Sequence, residues 1–87
     1  MSEARTRFKI MLVDDAPSTL KVLNHMLAEQ GYAILVANSG EGALRNAAST
    51  LPDLVLLDVA MPGMDGFEVC RGLKADPRTS DIPVRFL

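Results

Sequence analysis

Short apolar runs and helical patterns alternate along this 87-residue chain, and the alternation constrains its fold more than any other feature. Apolar runs of four to six residues, bounded by turn-forming residues, are typical of buried strands. Strands that alternate with helices favour right-handed βαβ units and therefore a parallel sheet. We predict a single α/β domain over residues 8–87, preceded by a polar lead at residues 1–7. The predicted strands are residues 8–13, 32–37, 54–57 and 84–87.

Three helices are predicted between these strands. Pro17 suits the first turn of the first helix, and Gly31 suits its C-terminal end. Ser39 and Asp65 are the predicted N-caps of the second and third helices, and Pro52 is predicted to end the second. Leucines at helical spacing give the first helix an apolar stripe, Leu20, Leu23 and Leu27. The residues expected to point inward from the third helix are Phe67, Val69, Cys70 and Leu73.

Composition and charge exclude several classes of function. Nine Lys and Arg against eleven Asp and Glu give a net charge of -2, so a basic nucleic-acid-binding surface is not expected. No apolar run approaches the roughly 18 residues of a membrane span, and Met1 to Arg7 lacks the apolar core of a signal peptide. The single cysteine, Cys70, excludes an internal disulfide and a cysteine-based zinc site. We therefore expect a cytoplasmic globular domain without direct nucleic-acid or membrane partners.

Acidic residues follow two of the predicted strands. Asp14 and Asp15 come directly after the first strand, and Asp58 directly after the third. Each aspartate alone is better explained as a turn or capping residue. Together they favour a site, because ligands of open α/β sheets bind at the carboxyl ends of the strands. Three converging carboxylates repel one another, and a hard divalent cation such as Mg²⁺ relieves that repulsion. A carboxylate beside such a metal can act as a nucleophile towards a phosphoryl group.

Two segments carry a resemblance to a known family. The run Met11–Asp15 (MLVDD) and the run Asp58–Gly66 (DVAMPGMDG), together with Pro83 and Val84, resemble the receiver domain of two-component response regulators. The resemblance covers residues 8–87. It implies a flavodoxin-like fold: an open parallel sheet with helices on both faces and the strand order 2-1-3-4.

The resemblance also implies a role for individual residues. Asp58 matches the phosphoacceptor, which takes its phosphoryl group from a sensor histidine kinase or a histidine phosphotransfer protein. Asp15 matches a direct Mg²⁺ ligand, and Asp14 matches the acid that holds the metal through water. The backbone carbonyl of Ala60 matches the remaining protein ligand, a role that its side chain does not affect. The implied activity is that of a signalling module, not an enzyme, with at most self-phosphorylation from small phosphodonors.

The C-terminal part of the family pattern is missing from this chain. Receiver domains have five βα units, whereas this sequence has three units and one further strand. The family's Ser/Thr after the fourth strand and its Lys after the fifth, which contact the phosphoryl oxygens, are absent. We therefore expect a C-terminally truncated receiver domain whose fourth strand is an open sheet edge. With the leucine stripe partly uncovered as well, we predict a homodimer formed through the fourth strand and the first helix.

Two alternative functions belong to other classes. The chain could be a structural or assembly module that keeps the fold, self-associates through its sheet edge and transfers phosphate poorly. An aspartate-nucleophile phosphatase is disfavoured, because such enzymes typically have a second aspartate two residues after the nucleophile. Ala60 occupies that position.

Overall fold

The computed structural model describes residues 7–87, so most of the predicted polar lead, residues 1–7, lies outside the described residues. The described part follows the predicted alternation of strands and helices. Its elements in chain order are β1 (Lys9–Val13), α1 (Pro17–Glu29), β2 (Ala33–Ala37), α2 (Gly40–Thr50), β3 (Leu54–Leu57), α3 (Gly66–Ala75) and β4 (Val84–Phe86).

The four strands form one parallel sheet in the order β2-β1-β3-β4, which confirms the expected order. β1 lies in the middle, between β2 and β3, and β4 pairs with the other side of β3. In this register Val13 is opposite both Ala37 and Leu57. β1 and β3 therefore end level with each other, and the residues that follow them leave the sheet at the same edge.

The sheet is covered by α1 on one face and by α2 and α3 on the other, because its strands alternate apolar side chains between the faces. Ile10 and Leu12 pack with the stripe of α1, where Leu20 is buried. The intervening Met11 and Val13 pack with residues of α2 and α3 in the larger core. Full burial of one such side chain contributes about 1.5–3 kcal/mol. The remaining members of the stripe, Leu23 and Leu27, are half-buried against the same face.

The ends of the helices agree with the sequence, and one C-terminus shows a conformation that the sequence did not indicate. The Oγ atom of Ser39 accepts the N–H of Gly42 at 3.1 Å, as expected of an N-cap. Gly31 follows α1 with a positive φ of 94°. α2 ends at Thr50, and its C-cap Leu51 takes the left-handed conformation with φ 51° directly before Pro52, the residue predicted to end this helix. The N–H of Leu51 still donates to Ala47, so the cap completes the last turn.

Phe67, which was expected to point inward from α3, is instead exposed and packs against a second exposed aromatic residue. Phe67 is 51% exposed and Phe86 is 44% exposed, and their rings pack against each other with centroids 5.2 Å apart. The prediction of an inward Phe67 was wrong, because its helical position places it beside β4 at the margin of the sheet. Val69 and Leu73 carry the buried face of α3. Arg85 is exposed, as its position on this outer strand requires.

Candidate functional site

Three carboxylates meet at the carboxyl edge of the sheet. Asp14, Asp15 and Asp58 each offer an oxygen that lies within 4.8 Å of the others. Asp14 is buried, Asp58 is half-buried and Asp15 is exposed. The N–H of Asp14 donates to Ala37 and that of Asp58 donates to Val13, so the backbone ladder continues one residue past the strands. The sheet itself therefore fixes the backbone from which two of the three carboxylates project.

The loop between β1 and α1 is held by one of these carboxylates. Oδ1 of Asp14 accepts the N–H of Ala16 at 3.0 Å. Ala16 is the N-cap of α1 but has no side chain able to cap it, and Pro17 follows without an N–H that needs a partner. Asp14 therefore closes the turn into α1. Because a carboxylate has two oxygens, the same residue can hold the turn and also face the cluster.

The loop between β3 and α3 is longer and contains the other half of the site. Oδ1 of Asp58 accepts the N–H of Ala60 at 3.3 Å. Gly63 takes a positive φ of 73°, which allows the chain to turn back towards α3. At the end of the loop, Asp65 and Glu68 form a reciprocal capping box, with both hydrogen bonds at 3.0 Å. This arrangement orders the loop from both ends.

The three carboxylates fit a hard divalent cation. All of the side chains brought together here offer oxygen ligands, which Mg²⁺ prefers to nitrogen or sulfur. Their mutual repulsion at this distance also favours a bound positive charge. The structure brings together all three side chains that the sequence singled out. It places Ala60 in the same loop through its hydrogen bond to Asp58.

A cavity of about 340 Å³ beside Asp15 was not foreseen from the sequence. It lies between the end of β2 and the first turns of α1 and α2. Polar side chains on its wall come from parts of the chain that have no motif of their own. They are Asn38, Ser39, Arg45 and Asn46. The pairing of β2 with β1 brings these side chains beside the acidic site. Their position there follows from the order of the strands and from no local motif.

The comparison with protein families identifies the chain. The model of the response regulator receiver domain matches residues 10–87. This chain belongs to the response regulator receiver family. Among curated proteins, Response regulator PleD of Caulobacter vibrioides is 50% identical over 76 residues. That alignment covers 87% of this chain but only 17% of the relative, so the chain corresponds to a small part of that protein.

Solved structures give the same fold. The N-terminal domain of a response regulator receiver protein from Methanoculleus marisnigri superposes with a TM-score of 0.88 at 46% identity, covering 90% of this chain and 63% of that one. The receiver domain of a sensor histidine kinase from Pseudomonas aeruginosa gives 0.87 at 29% identity, covering 92% of this chain and 66% of that one. That second structure has a magnesium ion coordinated in its active-site cleft.

These findings confirm the flavodoxin-like receiver fold and a place in two-component signalling. Receiver domains are signalling modules that interact with histidine kinases or phosphotransfer partners. Within residues 7–87, no helix combines the length and apolar character needed to cross a bilayer. The roles of individual site residues, the cytoplasmic location and the domain boundary at residue 8 stay predictions.

Proposed function

We propose that this chain is the phospho-accepting module of a histidine-to-aspartate phosphorelay and that Asp58 accepts the phosphoryl group. One observation carries the proposal: Asp58 follows β3 at the carboxyl edge of the sheet, with its carboxylate beside those of Asp14 and Asp15. Residues 8–87 form the proposed receiver unit. The donor is proposed to be a sensor histidine kinase or a histidine phosphotransfer protein.

Asp14, Asp15 and Asp58, with the backbone carbonyl of Ala60, are the proposed ligands of Mg²⁺. The oxygen-only set of side chains supports this choice, as does the magnesium ion in the Pseudomonas aeruginosa receiver. When bound, Mg²⁺ supplies positive charge that offsets the carboxylates and the oxygens of a phosphoryl group.

The chemistry of this chain's own residues follows from the site. A carboxylate oxygen of Asp58 attacks the phosphorus of phosphohistidine, and the P–N bond breaks as the P–O bond forms. The imidazole nitrogen leaves with the electron pair of the broken bond. The N–H of Ala60, which donates to Oδ1, restricts rotation of the Asp58 carboxylate. The acyl phosphate then shifts a conformational equilibrium that an output partner detects.

An assembly module without phosphotransfer is not the favoured function, because the family match covers residues 10–87, including the complete acidic cluster. A hydrolytic aspartate-nucleophile mechanism is also disfavoured. The second position after Asp58 is occupied by Ala60, which has no acidic group to protonate a leaving group.

Phosphorylation from a small donor tests the proposal. Incubation with Mg²⁺ and acetyl phosphate is expected to give a phosphoryl adduct, seen by intact-mass spectrometry, that Asp58→Asn abolishes. Asp81→Asn is the matched control, because Asp81 is an exposed aspartate in the loop before β4. Mg²⁺ is expected to shift the backbone amide signals of Asp15 and Ala60. An adduct that persists in Asp58→Asn, or no adduct on the unmodified chain, contradicts the proposal.

Self-association is a separate part of the proposal. Within the described residues β4 pairs with β3 alone, so its other edge offers free N–H and C=O groups. On α1, Val22 and Met26 are each more than half exposed. We expect a homodimer that uses β4 and α1, with a mass that rises with concentration in sedimentation equilibrium. A folded monomer at high micromolar concentration contradicts this expectation.

A further inference from the structure

The first turn of α3 lies directly against the backbone of the phosphoacceptor loop. A Cβ atom added at Gly66 comes within 2.8 Å of the Cα atom of Val59 and within 3.0 Å of the carbonyl carbon of Asp58. The carbonyl oxygen of Asp58 is closer still. The N–H of Gly66 also donates to the carbonyl of Val59 at 2.9 Å. Helix and loop therefore meet backbone to backbone, with no side chain between them.

Space is the property of glycine that this position requires. Within the described chain, the glycines with positive φ are Gly31 and Gly63, so the backbone conformation of Gly66 is open to any residue. Alanine is the better helix former, yet glycine stands in the first turn. Because the atoms in the way belong to the backbone, they cannot rotate aside as the end of a side chain can. An added methyl group must displace either the helix or the loop.

The capping box makes the first turn of α3 harder to displace than the loop. The carboxylate of Asp65 accepts the N–H of Glu68, whose own carboxylate accepts the N–H of Asp65. Behind this turn, Val69 and Leu73 are buried in the core. A methyl group added at residue 66 is therefore expected to displace the peptide between Asp58 and Val59 and not the helix.

We propose that Gly66 is a positioning residue for the phosphoacceptor site. Its lack of a side chain lets α3 set the position of the Asp58 backbone, and with it the carboxylate and the Ala60 N–H that this carboxylate accepts. This inference rests on the proposed function, since it concerns the Mg²⁺-binding and phospho-accepting geometry of the same site. Gly66 has no side-chain functional group, yet its substitution is expected to change the affinity of the site for Mg²⁺.

The substitution Gly66→Ala tests the inference against Gly72→Ala. Both changes replace a glycine of α3 with the better helix former, and both add a methyl group in close contact. At Gly72, however, the contact is with the flexible side chain of Leu44, on the α2 side of the helix. We expect Gly66→Ala to weaken Mg²⁺ binding by about tenfold or more, as is typical for residues that orient ligands. Gly72→Ala is expected to keep the affinity of the parent.

A metal-free readout accompanies the titration. In the absence of Mg²⁺, Gly66→Ala is expected to shift the amide signals of Asp58 and Ala60, whereas Gly72→Ala leaves them in place. If the parent chain neither binds Mg²⁺ nor accepts phosphate, the proposed function fails, and this readout still decides the positioning role. If the parent binds Mg²⁺ and Gly66→Ala binds it equally well with unshifted amides, the inference is overturned.

A second pair of variants applies if Gly66→Ala does not fold. Glu68→Ala and Glu68→Gln both remove the same charge, but glutamine keeps an oxygen that can accept the N–H of Asp65. A loosened first turn positions the loop less well, so Glu68→Ala is expected to bind Mg²⁺ more weakly than Glu68→Gln. Equal affinities for the two variants overturn the inference.

Discussion

The two loops that carry the acidic residues are ordered in different ways. The β1–α1 loop, Asp14 to Ala16, has three residues, and its own aspartate closes the turn. The β3–α3 loop, Asp58 to Asp65, has eight residues and is ordered by its contacts with α3 and α2. Gly40 of α2 provides one of these contacts, because the side chain of Met64 lies where a Cβ atom of residue 40 would be. A short loop can be positioned locally, whereas a long one depends on the elements around it.

The two halves of the site are therefore disturbed by substitutions in different parts of the chain. A change in the short loop must alter an acidic residue or its immediate neighbour. The long loop can be disturbed from α3 without any change to a carboxylate, since Gly66 and the capping box both act on its backbone.

Asp14→Ala and Asp14→Asn separate the two roles of the residue in the short loop. Both variants lose the same charge, so both are expected to bind Mg²⁺ much more weakly. Asparagine keeps an oxygen that can accept the N–H of Ala16, whereas alanine does not. We expect the free energy of unfolding of Asp14→Ala, measured by urea denaturation, to be about 1–2 kcal/mol lower than that of Asp14→Asn. Equal stabilities show that this hydrogen bond does not hold the loop.

Asp65→Ala tests the long loop, with Ser39→Ala as its counterpart in α2. Both residues are N-caps, so each substitution is expected to lower the free energy of unfolding by about 1 kcal/mol. Asp65→Ala is expected to weaken Mg²⁺ binding more than Ser39→Ala does, because α3 touches the Asp58–Val59 backbone itself, whereas α2 contacts the loop through the side chain of Met64. Mg²⁺ titration and urea denaturation of both variants measure the two effects. Equal losses of Mg²⁺ affinity in the two variants contradict a closer link of α3 than of α2 to the site.

Arg78→Gln gives the smallest expected effect and lies in the loop before β4. Nη2 of Arg78 is 2.8 Å from Oδ2 of Asp76, and hydrogen bonds from Arg78 hold the pKa of the Asp76 carboxyl below its ordinary value. This contribution to stability is present above the ordinary pKa of the carboxyl and is lost as the pH falls through the lowered value. The pair is exposed, so the effect is small. Carboxyl-detected NMR titration is expected to show a higher Asp76 pKa in Arg78→Gln, with unchanged Mg²⁺ affinity. An unchanged Asp76 pKa contradicts this ion pair.

The sequence predicted the strands, the helices and their N-caps because these features depend on local patterns. β3 spans Leu54–Leu57, as the apolar run indicated, and α3 begins at Gly66, directly after its predicted N-cap. Ser39 and Asp65 cap their helices through hydrogen bonds to residues three positions away. The convergence of Asp14 and Asp58 also followed from the sequence, once parallel strands and the family's strand order were assumed.

Tertiary structure decided the contacts between residues far apart in the chain. The ammonium group of Lys9 reaches the carbonyl of Thr50, 41 residues away, at the C-terminus of α2. The exposure of Phe67 likewise depends on where β4 lies relative to α3. The meeting of Gly66 with the Asp58–Val59 backbone is of the same kind. Local propensity determines which backbone conformation a residue favours. The space open to its side chain depends instead on how the helices and strands pack, and packing determined these three features.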